Sequence, residues 1–360
     1  MDKIRFKKII KKGIANYVKF QAVKICPRFY KFLRAKPYDL FINITDNCCH
    51  RCLTCAQWRT TTYNELTLNE WKKVITQARD FFDINSLIII GGEPFLRNDL
   101  EQVIAFATSK RIIARIVTNG YLVNKKNAEE VISAGAKAIS VSIDAIGELH
   151  NRIRGRKKAF DRALRAVRIF RNLLVETYIS TTISKLNLEE ILLVVKLAQK
   201  EKVKIVFNLY DQTPYFFKNV PDKEQLAITG RADLKKVDNL VGRLIRFKKE
   251  NPSAIANSFS DLLYIKKYFR DPLQKKLPCA ASQTRIMISS QGDVYGGCWS
   301  MDKFGNIRQK SLKQIFESEK YLRQHKKMFF KNCPGCSCGF PVNLQYSPKT
   351  LYQETRHRFK

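Results

Sequence analysis

Short apolar runs rich in β-branched residues alternate with amphipathic segments along residues 38–210. We predict that helices begin at Thr67, Asn98 and Asn187, because each of these residues is followed by Glu three positions later. The predicted strands are DLFINIT (39–45), SLIII (86–90), RIIARIV (111–117), AISVSI (138–143), TYISTTI (177–183) and VKIVFN (203–208). Six such repeats predict an α/β fold around a parallel sheet, either doubly wound or curved into a partial barrel. In both architectures functional residues lie at the carboxyl ends of the strands.

The pattern changes on either side of this repeat region. The first 37 residues carry twelve Lys and Arg against one acid. Five apolar residues there fall near helical spacing: Phe6, Ile10, Ile14, Tyr17 and Val18. This predicts a basic amphipathic helix that docks on the main domain, with attachment to an anionic membrane surface as the alternative. The predicted segments are 1–37 (basic N-terminal segment), 38–225 (core domain), 226–275 (helical connector), 276–345 (small cysteine-rich α+β domain) and 346–360 (basic tail).

The whole chain is strongly basic, with 66 Lys and Arg against 32 Asp and Glu and a net charge of +34. Such a charge suits nucleic acid, an anionic membrane or acidic small molecules as partners, and it also suits a solvated basic surface. No RNA-binding module or stacking-aromatic motif is visible, which argues against nucleic acid. The N-terminus has no uninterrupted apolar region and no stretch approaches ~18 apolar residues. We therefore expect a cytoplasmic protein, or one that is peripheral at the inner membrane face.

The ten cysteines are clustered along the chain. Apart from the isolated Cys26, and with Cys49 set aside as a bystander, they fall within residues 48–55 and 279–338. In a reducing compartment, clustered cysteines favour metal binding over disulfides. This distribution indicates two metal-bearing regions.

Cys48, Cys52 and Cys55 follow the first predicted strand in the loop TDNCCHRCLTC. Zinc sites draw CxxC pairs from two places and close all four positions. Iron–sulfur clusters are held by four thiolates, so three cysteines on one loop would leave one iron without a protein ligand. That iron could bind a substrate or cofactor directly.

The C48-x3-C52-x2-C55 loop after the strand FINIT resembles the signature of the radical S-adenosylmethionine (radical SAM) superfamily. The resemblance implies a partial (β/α)6 TIM-like barrel and a [4Fe-4S] cluster whose unique iron binds S-adenosylmethionine (SAM). Reductive cleavage of SAM would give a 5′-deoxyadenosyl radical that abstracts hydrogen from a substrate, with the protein supplying placement and dryness. Thr54 stands where the family often has an aromatic residue.

Further strand ends agree with this resemblance. GGEP (91–94) follows the second strand, VTNG the third and VSID the fourth. Alone, GGEP would be a tight turn, because glycine allows close backbone approach. In the family, equivalent positions contact SAM, and the positions carried over are Gly91, Gly92, Glu93, Pro94, Asn119, Ser142 and Arg154. Arg154 suits the SAM carboxylate because its planar fork matches a carboxylate, and a surface ion pair is its alternative role.

The C-terminal cysteines flank a predicted hairpin, SSQGDVYGG, and end in the knuckle CPGC. By spacing alone they suit structural zinc or an iron–sulfur cluster. Their order resembles the SPASM or shorter twitch extension of radical SAM enzymes, which implies one auxiliary [4Fe-4S] cluster. The expected ligands are Cys279, Cys298, Cys333 and Cys336, with Cys338 in reserve. Trp299 follows Cys298 where sulfatase-maturing members have Asp, which argues against that subfamily.

We therefore expect a radical SAM oxidoreductase that acts on a peptide or protein side chain, or on a sugar or other small molecule. The expected partners are that substrate, a reductant such as flavodoxin or ferredoxin, and an anionic membrane surface that the N-terminus contacts. The alternative is a non-catalytic zinc or iron–sulfur scaffold or electron-transfer protein. That alternative would leave GGEP and the polar strand ends without a role.

Overall fold

The computed structural model describes residues 14–15, 17–19, 21–23, 25–26, 36–59, 62–212, 223–272, 281–299 and 302–329. Its nine strands are β1 (Asp39–Asn43), β2 (Ser86–Ile90), β3 (Ile113–Thr118), β4 (Ala136–Ser142), β5 (Glu176–Ile183), β6 (Lys204–Leu209), β7 (Arg285–Ile288), β8 (Asp293–Tyr295) and β9 (Gly305–Asn306). They form one sheet in the order β6-β5-β4-β3-β2-β1-β7-β8-β9. The pairs from β1 to β6 are parallel, which confirms the six predicted strands and the α/β class.

Helices connect the strands and continue beyond them. They are α1 (Leu68–Phe82), α2 (Leu100–Ser109), α3 (Lys125–Ser133), α4 (Gly147–Arg154), α5 (Ala159–Asn172), α6 (Ile191–Lys200), α7 (Lys223–Leu226), α8 (Arg231–Glu250), α9 (Phe259–Arg270), α10 (Ala281–Thr284), α11 (Leu312–Glu317) and α12 (Glu319–Phe329). The long helices α8 and α9 pack on each other in the segment predicted as a helical connector.

The cysteine-bearing segment extends the main sheet. Strand β7 pairs in parallel with β1, and β8 and β9 follow antiparallel. The predicted hairpin is confirmed: Gly292, at φ +87°, donates its N–H to the Ser289 carbonyl at 3.0 Å. The domain boundaries themselves stay a prediction. The structure shows in addition that β1, which precedes the cysteine loop, lies between β2 of the repeat region and β7 of the cysteine-bearing segment.

The helices bury their apolar faces against the sheet. Trp71, Ile75 and Phe82 on α1 are fully buried, as are the inward residues of the parallel strands. Burial of such side chains supplies the main stabilisation of the fold. It also fixes where each strand ends, and therefore where the loops at the carboxyl edge begin.

One of the three predicted helix starts is confirmed. Thr67 caps α1, and the Glu70 side chain bonds back to the Thr67 N–H. Helix α2 begins instead after Asp99, one residue later than predicted, and Asp99 makes an ion pair with Arg97. The prediction for Asn187 is wrong: its side chain accepts from the Ser184 N–H and donates to the carbonyls of Asp144 and Thr182, so it closes a 3-10 turn before α6.

The N-terminal segment is described at only some positions. Residues 14, 15, 17–19, 21–23 and 25 are helical, in agreement with the predicted helix. Ile14 and Val18 are 48% and 58% exposed, whereas Val23 in the same segment is fully buried. Phe6 and Ile10 lie outside the described residues. In the described part of the chain, no helix is both long and apolar enough to span a bilayer.

Candidate active site

The loops at the carboxyl ends of β1 to β4 converge on the cysteine loop. Backbone hydrogen bonds join that loop to the second strand's turn: the Gly92 N–H donates to the Thr45 carbonyl at 2.7 Å, and the Glu93 N–H donates to the Asn47 carbonyl at 2.8 Å. The end of α4 joins from the other side, since the Arg51 N–H donates to the Arg154 carbonyl at 3.2 Å. Residues from three separate strand ends therefore meet at one point.

Cys48, Cys52 and Cys55 sit on this loop at different depths. Cys52 is buried, Cys48 is half-buried and Cys55 is exposed. Backbone N–H groups point at two of the sulfurs: His50 donates to Cys48 Sγ at 3.4 Å and Gln57 donates to Cys55 Sγ at 3.3 Å. Such donors stabilise a thiolate over a thiol. The donor set therefore suits a metal ligand at both positions.

The pKa values of two cysteines on the loop are raised, as expected for thiols that lose their protons only when a metal cation binds. Burial raises the pKa of Cys52 to about 12, and a hydrogen bond with the Cys49 thiol, together with burial, raises the pKa of Cys48. Thiolates at such positions form together with the metal that binds them. Among the described residues, no three His, Cys, Asp or Glu side chains group around a single metal ion. In a cubane each thiolate binds a different iron, and this ligand set stays a prediction.

GGEP forms a cradle that only glycine permits. A Cβ on Gly91, which has φ +152°, would meet the Thr45 carbonyl oxygen at 2.5 Å, and a Cβ on Gly92 would meet the Asn47 carbonyl oxygen at 2.0 Å. Pro94 then begins a short 3-10 turn and is buried. The turn is thus pressed against the backbone that precedes Cys48. This close approach explains the two glycines, whereas contact with SAM remains the family's implication.

Glu93 is fully buried and connects the second and third strand ends. Its carboxylate accepts from Thr118 Oγ1 at 2.6 Å, from the Asn119 N–H at 2.7 Å and from the Phe95 N–H at 3.2 Å. Burial raises the pKa of Glu93 to about 7, against the lowering effect of these donors. The position that the sequence assigned to SAM therefore has an internal role, which is to hold the turn against Asn119.

We expect Glu93→Gln to flatten the pH dependence of folding stability in the apoprotein. Because burial raises the pKa of Glu93 from 4.5 to about 7, the folded protein keeps a proton that the unfolded chain has lost. The Glu93 side chain makes its whole contribution to the free energy of unfolding below pH 4.5. This contribution falls by on the order of 3 kcal/mol as the pH rises through 7. Urea unfolding at pH 5 and 7.5 measures this decline. Equal declines in the wild type and the variant would contradict the burial effect.

Asn119 reaches the cysteines, while Ser142 stands apart. Asn119 Nδ2 lies 3.5 Å from Cys49 Sγ and 3.9 Å from Cys48 Sγ. Ser142 is half-buried on β4 opposite Ser180, and within the described residues its side chain makes no hydrogen bond. Both residues lie at the expected edge of the sheet. Their roles in SAM binding stay predictions.

Arg154 is turned toward protein groups. Its Nε lies 2.8 Å from Asp144 Oδ2, and the guanidinium also contacts the Cys52 thiol. Although burial opposes the charged form, Asp144 and Cys52 raise the pKa of Arg154. Asp144 is itself held, because its backbone N–H donates to His150 Nδ1 at 3.0 Å and its Oδ1 accepts from the Thr182 N–H. Arg154 is therefore placed beside the cysteine loop rather than in a surface ion pair.

Asp46 organises the start of the loop, and the sequence analysis missed it. Its buried carboxylate accepts from four side chains: Asn43, Gln57, Thr62 and Ser290. Ser290 comes from the hairpin that follows β7, so the loop depends on a residue 244 positions away. A lone Asp before cysteines gives no local signal of this role. Only the pairing of β7 with β1 brings Ser290 close.

His50 lies inside the cysteine loop and is not among the expected ligands. It is fully buried within the cysteine loop and contacts Tyr121 edge to face, with ring centroids 5.4 Å apart. Burial and the charges of Arg154 and Arg156 lower the pKa of His50 to about 3, so the ring is neutral. Within the described part of the chain neither ring nitrogen has a hydrogen-bond partner. The ring therefore packs as a neutral side chain under the loop.

The second cysteine group is described at one position. Cys298 is buried in the core cluster that includes Phe304, and Trp299 packs on Tyr295 with ring centroids 4.8 Å apart. Cys279, Cys333, Cys336 and Cys338 lie outside the described residues. The segment is nevertheless attached to the main domain, because Arg308 pairs with Glu70 and the Leu66 N–H donates to the Ser290 carbonyl at 2.7 Å. The auxiliary ligand set stays a prediction.

The residues on the loop fit the cluster and cofactor that the resemblance implies. Three thiols lie on one loop with N–H donors at two sulfurs, and a glycine turn with no room for a Cβ lies against the loop backbone. An arginine charge lies beside the buried thiol. The N–H donors and the arginine charge both favour a negatively charged cluster at this loop.

Two family models match the chain. Residues 42–210 match the radical SAM superfamily, and residues 279–339 match SPASM, an iron–sulfur cluster-binding domain.

Curated relatives share part of the sequence. Fe-coproporphyrin III synthase of Methanosarcina barkeri is 28% identical over 81% of this chain and 77% of its own length. AdoMet-dependent heme synthase of the same organism is 33% identical over 48% of this chain, and 49% of that relative is covered. PqqA peptide cyclase of Granulibacter bethesdensis is 22% identical over 74% of this chain and 76% of its own length.

Solved structures share the fold. Streptococcus suis SuiB bound to S-adenosylmethionine superposes with a TM-score of 0.68 at 18% identity, over 90% of this chain and 78% of that one. Native anSMEcpe with bound AdoMet gives a TM-score of 0.64 at 18% identity, over 90% of this chain and all of that one. At such identity the likeness concerns the architecture, and it agrees with the predicted partial barrel.

Proposed function

This chain belongs to the radical SAM superfamily and carries a SPASM iron–sulfur domain, and from that premise we propose which residues hold its cofactors and what it acts on. Its cofactors are a [4Fe-4S] cluster that binds SAM, SAM itself and auxiliary iron–sulfur. The enzyme cleaves SAM reductively and uses the 5′-deoxyadenosyl radical to abstract hydrogen from a substrate. The cluster supplies the electron for this cleavage when it is bound.

One observation carries the assignment of the site: the cysteine loop and the GGEP turn are bonded backbone to backbone at the carboxyl ends of β1 and β2. We propose that Cys48, Cys52 and Cys55 ligate the cluster and that SAM lies along the GGEP backbone. Asn119 and Glu93 hold that backbone in place. These hydrogen bonds fix the positions of the cysteine loop and the GGEP turn before a cofactor binds, as preorganised catalysis requires.

Arg154 has two roles open to it. Its contact with Cys52 favours stabilising a thiolate ligand, while its fork would also suit the SAM carboxylate. Asp144 is the ion-pair partner of the guanidinium, with Oδ2 2.8 Å from Nε. The proposal is that Asp144 orients Arg154 toward SAM. Ser142, at the end of β4 and two residues before Asp144, faces the same cofactor.

Anaerobic reconstitution tests the proposed function. Iron and sulfide are counted per chain, and 5′-deoxyadenosine is measured after addition of SAM and dithionite. A brown protein that forms 5′-deoxyadenosine supports the assignment. Stoichiometric zinc with no cleavage would identify the non-catalytic scaffold instead.

We propose a carboxylated tetrapyrrole as the substrate class. Fe-coproporphyrin III synthase is 28% identical over 81% of this chain, and two AdoMet-dependent heme synthases match 48% and 40% of this chain at 33% and 34% identity. The net charge of +34 suits a substrate with several carboxylates. A peptide is the second candidate, since PqqA peptide cyclase is 22% identical over 74% of the chain.

Coproporphyrin III at 0.3 M salt is expected to shift its Soret band on binding and to raise 5′-deoxyadenosine formation about tenfold or more, because substrate placement is what makes cleavage productive. Its tetramethyl ester, which lacks the charges, is the control and should do neither. Stimulation by neither compound would exclude this class and leave the peptide.

Two expectations about partners remain proposals. The enzyme needs a one-electron reductant, for which flavodoxin and ferredoxin are the candidates. The exposed Ile14 and Val18 in a basic segment suit contact with an anionic membrane surface. A peripheral position at the inner membrane face would follow from such contact.

A further inference from the structure

We propose that four arginines beside the cysteine loop form the docking surface for an acidic one-electron carrier protein that reduces the cluster. We call this surface the arginine rim: Arg51, Arg59, Arg156 and Arg162, with the rings of Trp58 and Tyr121 between them. The proposal rests on the proposed function, because it assumes that the loop holds the cluster.

Two aromatic rings fix the positions of the four guanidiniums. Arg51 and Arg59 lie over the Trp58 ring, 5.2 and 4.7 Å from its centroid. Arg156 and Arg162 lie over the Tyr121 ring at 4.7 and 5.7 Å. Cation–π contacts at such distances orient a guanidinium but leave its charge unneutralised. The two rings therefore hold four positively charged guanidiniums in fixed positions at the surface.

The two pairs belong to one surface. The Arg51 N–H donates to the Arg154 carbonyl, and Gly155 packs so closely on Arg51 that a Cβ there would meet the Arg51 carbonyl oxygen at 2.2 Å. This contact places Arg156 next to the cysteine loop. The rim is therefore continuous from the 3-10 turn Gln57–Arg59, which follows Cys55, to the start of α5.

The rim carries positive charge that no neighbouring acid balances, although the Arg51 guanidinium also donates to the carbonyls of Cys48 and His50. All four arginines are exposed. Elsewhere arginines pair with acids, as Arg168 and Arg171 do with Glu201, but within the described residues no carboxylate pairs with any arginine of the rim. Like charges held together without counter-ions cost stability. An acidic partner would supply the missing counter-charges.

The rim also lies where an electron has to enter. Cys55, a proposed ligand, is exposed beside it, and Trp58 Nε1 donates to the Cys52 carbonyl at 3.2 Å. In the step, the reduced carrier loses one electron and the oxidised cluster gains it, with no bond made or broken in either protein. An acidic protein with a cofactor near its surface meets these conditions. Electrostatic steering would raise the association rate about 10- to 1000-fold at low salt.

The test compares two reductants of opposite charge on reconstituted full-length enzyme. Flavodoxin hydroquinone, an acidic protein, and methyl viologen radical, a small cation, each reduce the cluster in stopped flow, followed by absorbance. The variant is Arg59→Gln/Arg162→Gln. The matched control is Arg243→Gln/Arg246→Gln, which removes two exposed charges from α8.

The rim variant should slow reduction by flavodoxin about tenfold at low salt and weaken its salt dependence, because two steering charges are gone. The control should stay within about twofold, and the cationic methyl viologen should reduce the rim variant at least as fast as the wild type, because the two lost charges repel it. Equal flavodoxin rates in wild type and rim variant would overturn the proposal. So would equal slowing with both reductants, which would show damage to the cluster site. If methyl viologen reduces no cluster in the wild type, the proposed function fails instead.

Discussion

Cys52→Ala is expected to abolish the SAM-binding cluster and to lower 5′-deoxyadenosine formation by ~1000-fold or more. Cys52 is the buried member of the three, and it contacts Arg154. Alanine removes a ligand and also leaves the Arg154 charge beside an apolar methyl group, so the loop cannot recover by using water. Iron per chain and electron paramagnetic resonance of the reduced protein measure cluster loss, and chromatography measures the product.

Cys49→Ala is the matched control on the same loop. The Cys49 thiol forms a hydrogen bond with Cys48 and lies 3.5 Å from Asn119 Nδ2. The cysteine pattern does not assign Cys49 as an iron ligand. The variant should keep the iron count and the cleavage rate within about threefold, since it loses only weak thiol hydrogen bonds to Cys48 and Asn119. If Cys49→Ala loses the cluster and Cys52→Ala keeps it, the proposed ligand set is wrong.

Gly92→Ala is expected to have the second largest effect. The added Cβ would lie 2.0 Å from the Asn47 carbonyl oxygen and 2.7 Å from that of Asp46. Backbone atoms cannot rotate away, so the GGEP turn and the cysteine loop must separate. The clash should cost about 1–3 kcal/mol of stability. Because the same separation displaces the proposed SAM site, SAM cleavage should fall ~100-fold or more. Thermal unfolding and 5′-deoxyadenosine formation measure the two effects.

Gly242→Ala provides the comparison for this substitution. A Cβ on Gly242 meets nothing within 4 Å, and Gly242 lies inside α8. Alanine there should raise stability by up to about 1 kcal/mol and leave cleavage unchanged. A Gly92→Ala enzyme that cleaves SAM as fast as the Gly242→Ala enzyme would remove GGEP from the proposed site.

The link between the two cysteine regions bears on how the enzyme works. Asp46 accepts from Ser290, and Arg308 pairs with Glu70, so the segment that follows β7 supports the loop that follows β1. The described part of the SPASM segment therefore supports the loop on which we place the SAM-binding cluster.

The sequence by itself determined where the six parallel strands lie along the chain and that the cysteine loop follows β1. Both follow from local information: strand periodicity is set by neighbouring residues, and Cys48, Cys52 and Cys55 share one short segment. The tight GGEP turn was equally visible, because two glycines at a strand end indicate close backbone approach.

Only the tertiary structure decided what those residues touch. It pairs β7 with β1, brings Ser290 to Asp46, gives Arg154 the partner Asp144 and turns Glu93 inward onto Asn119. These contacts join positions far apart in the chain, and they arise from strand register and buried charge pairing rather than from any local pattern. A sequence motif can therefore name the residues of this site, while the packing of separate strands decides which of them face the cofactor and which hold the others in place.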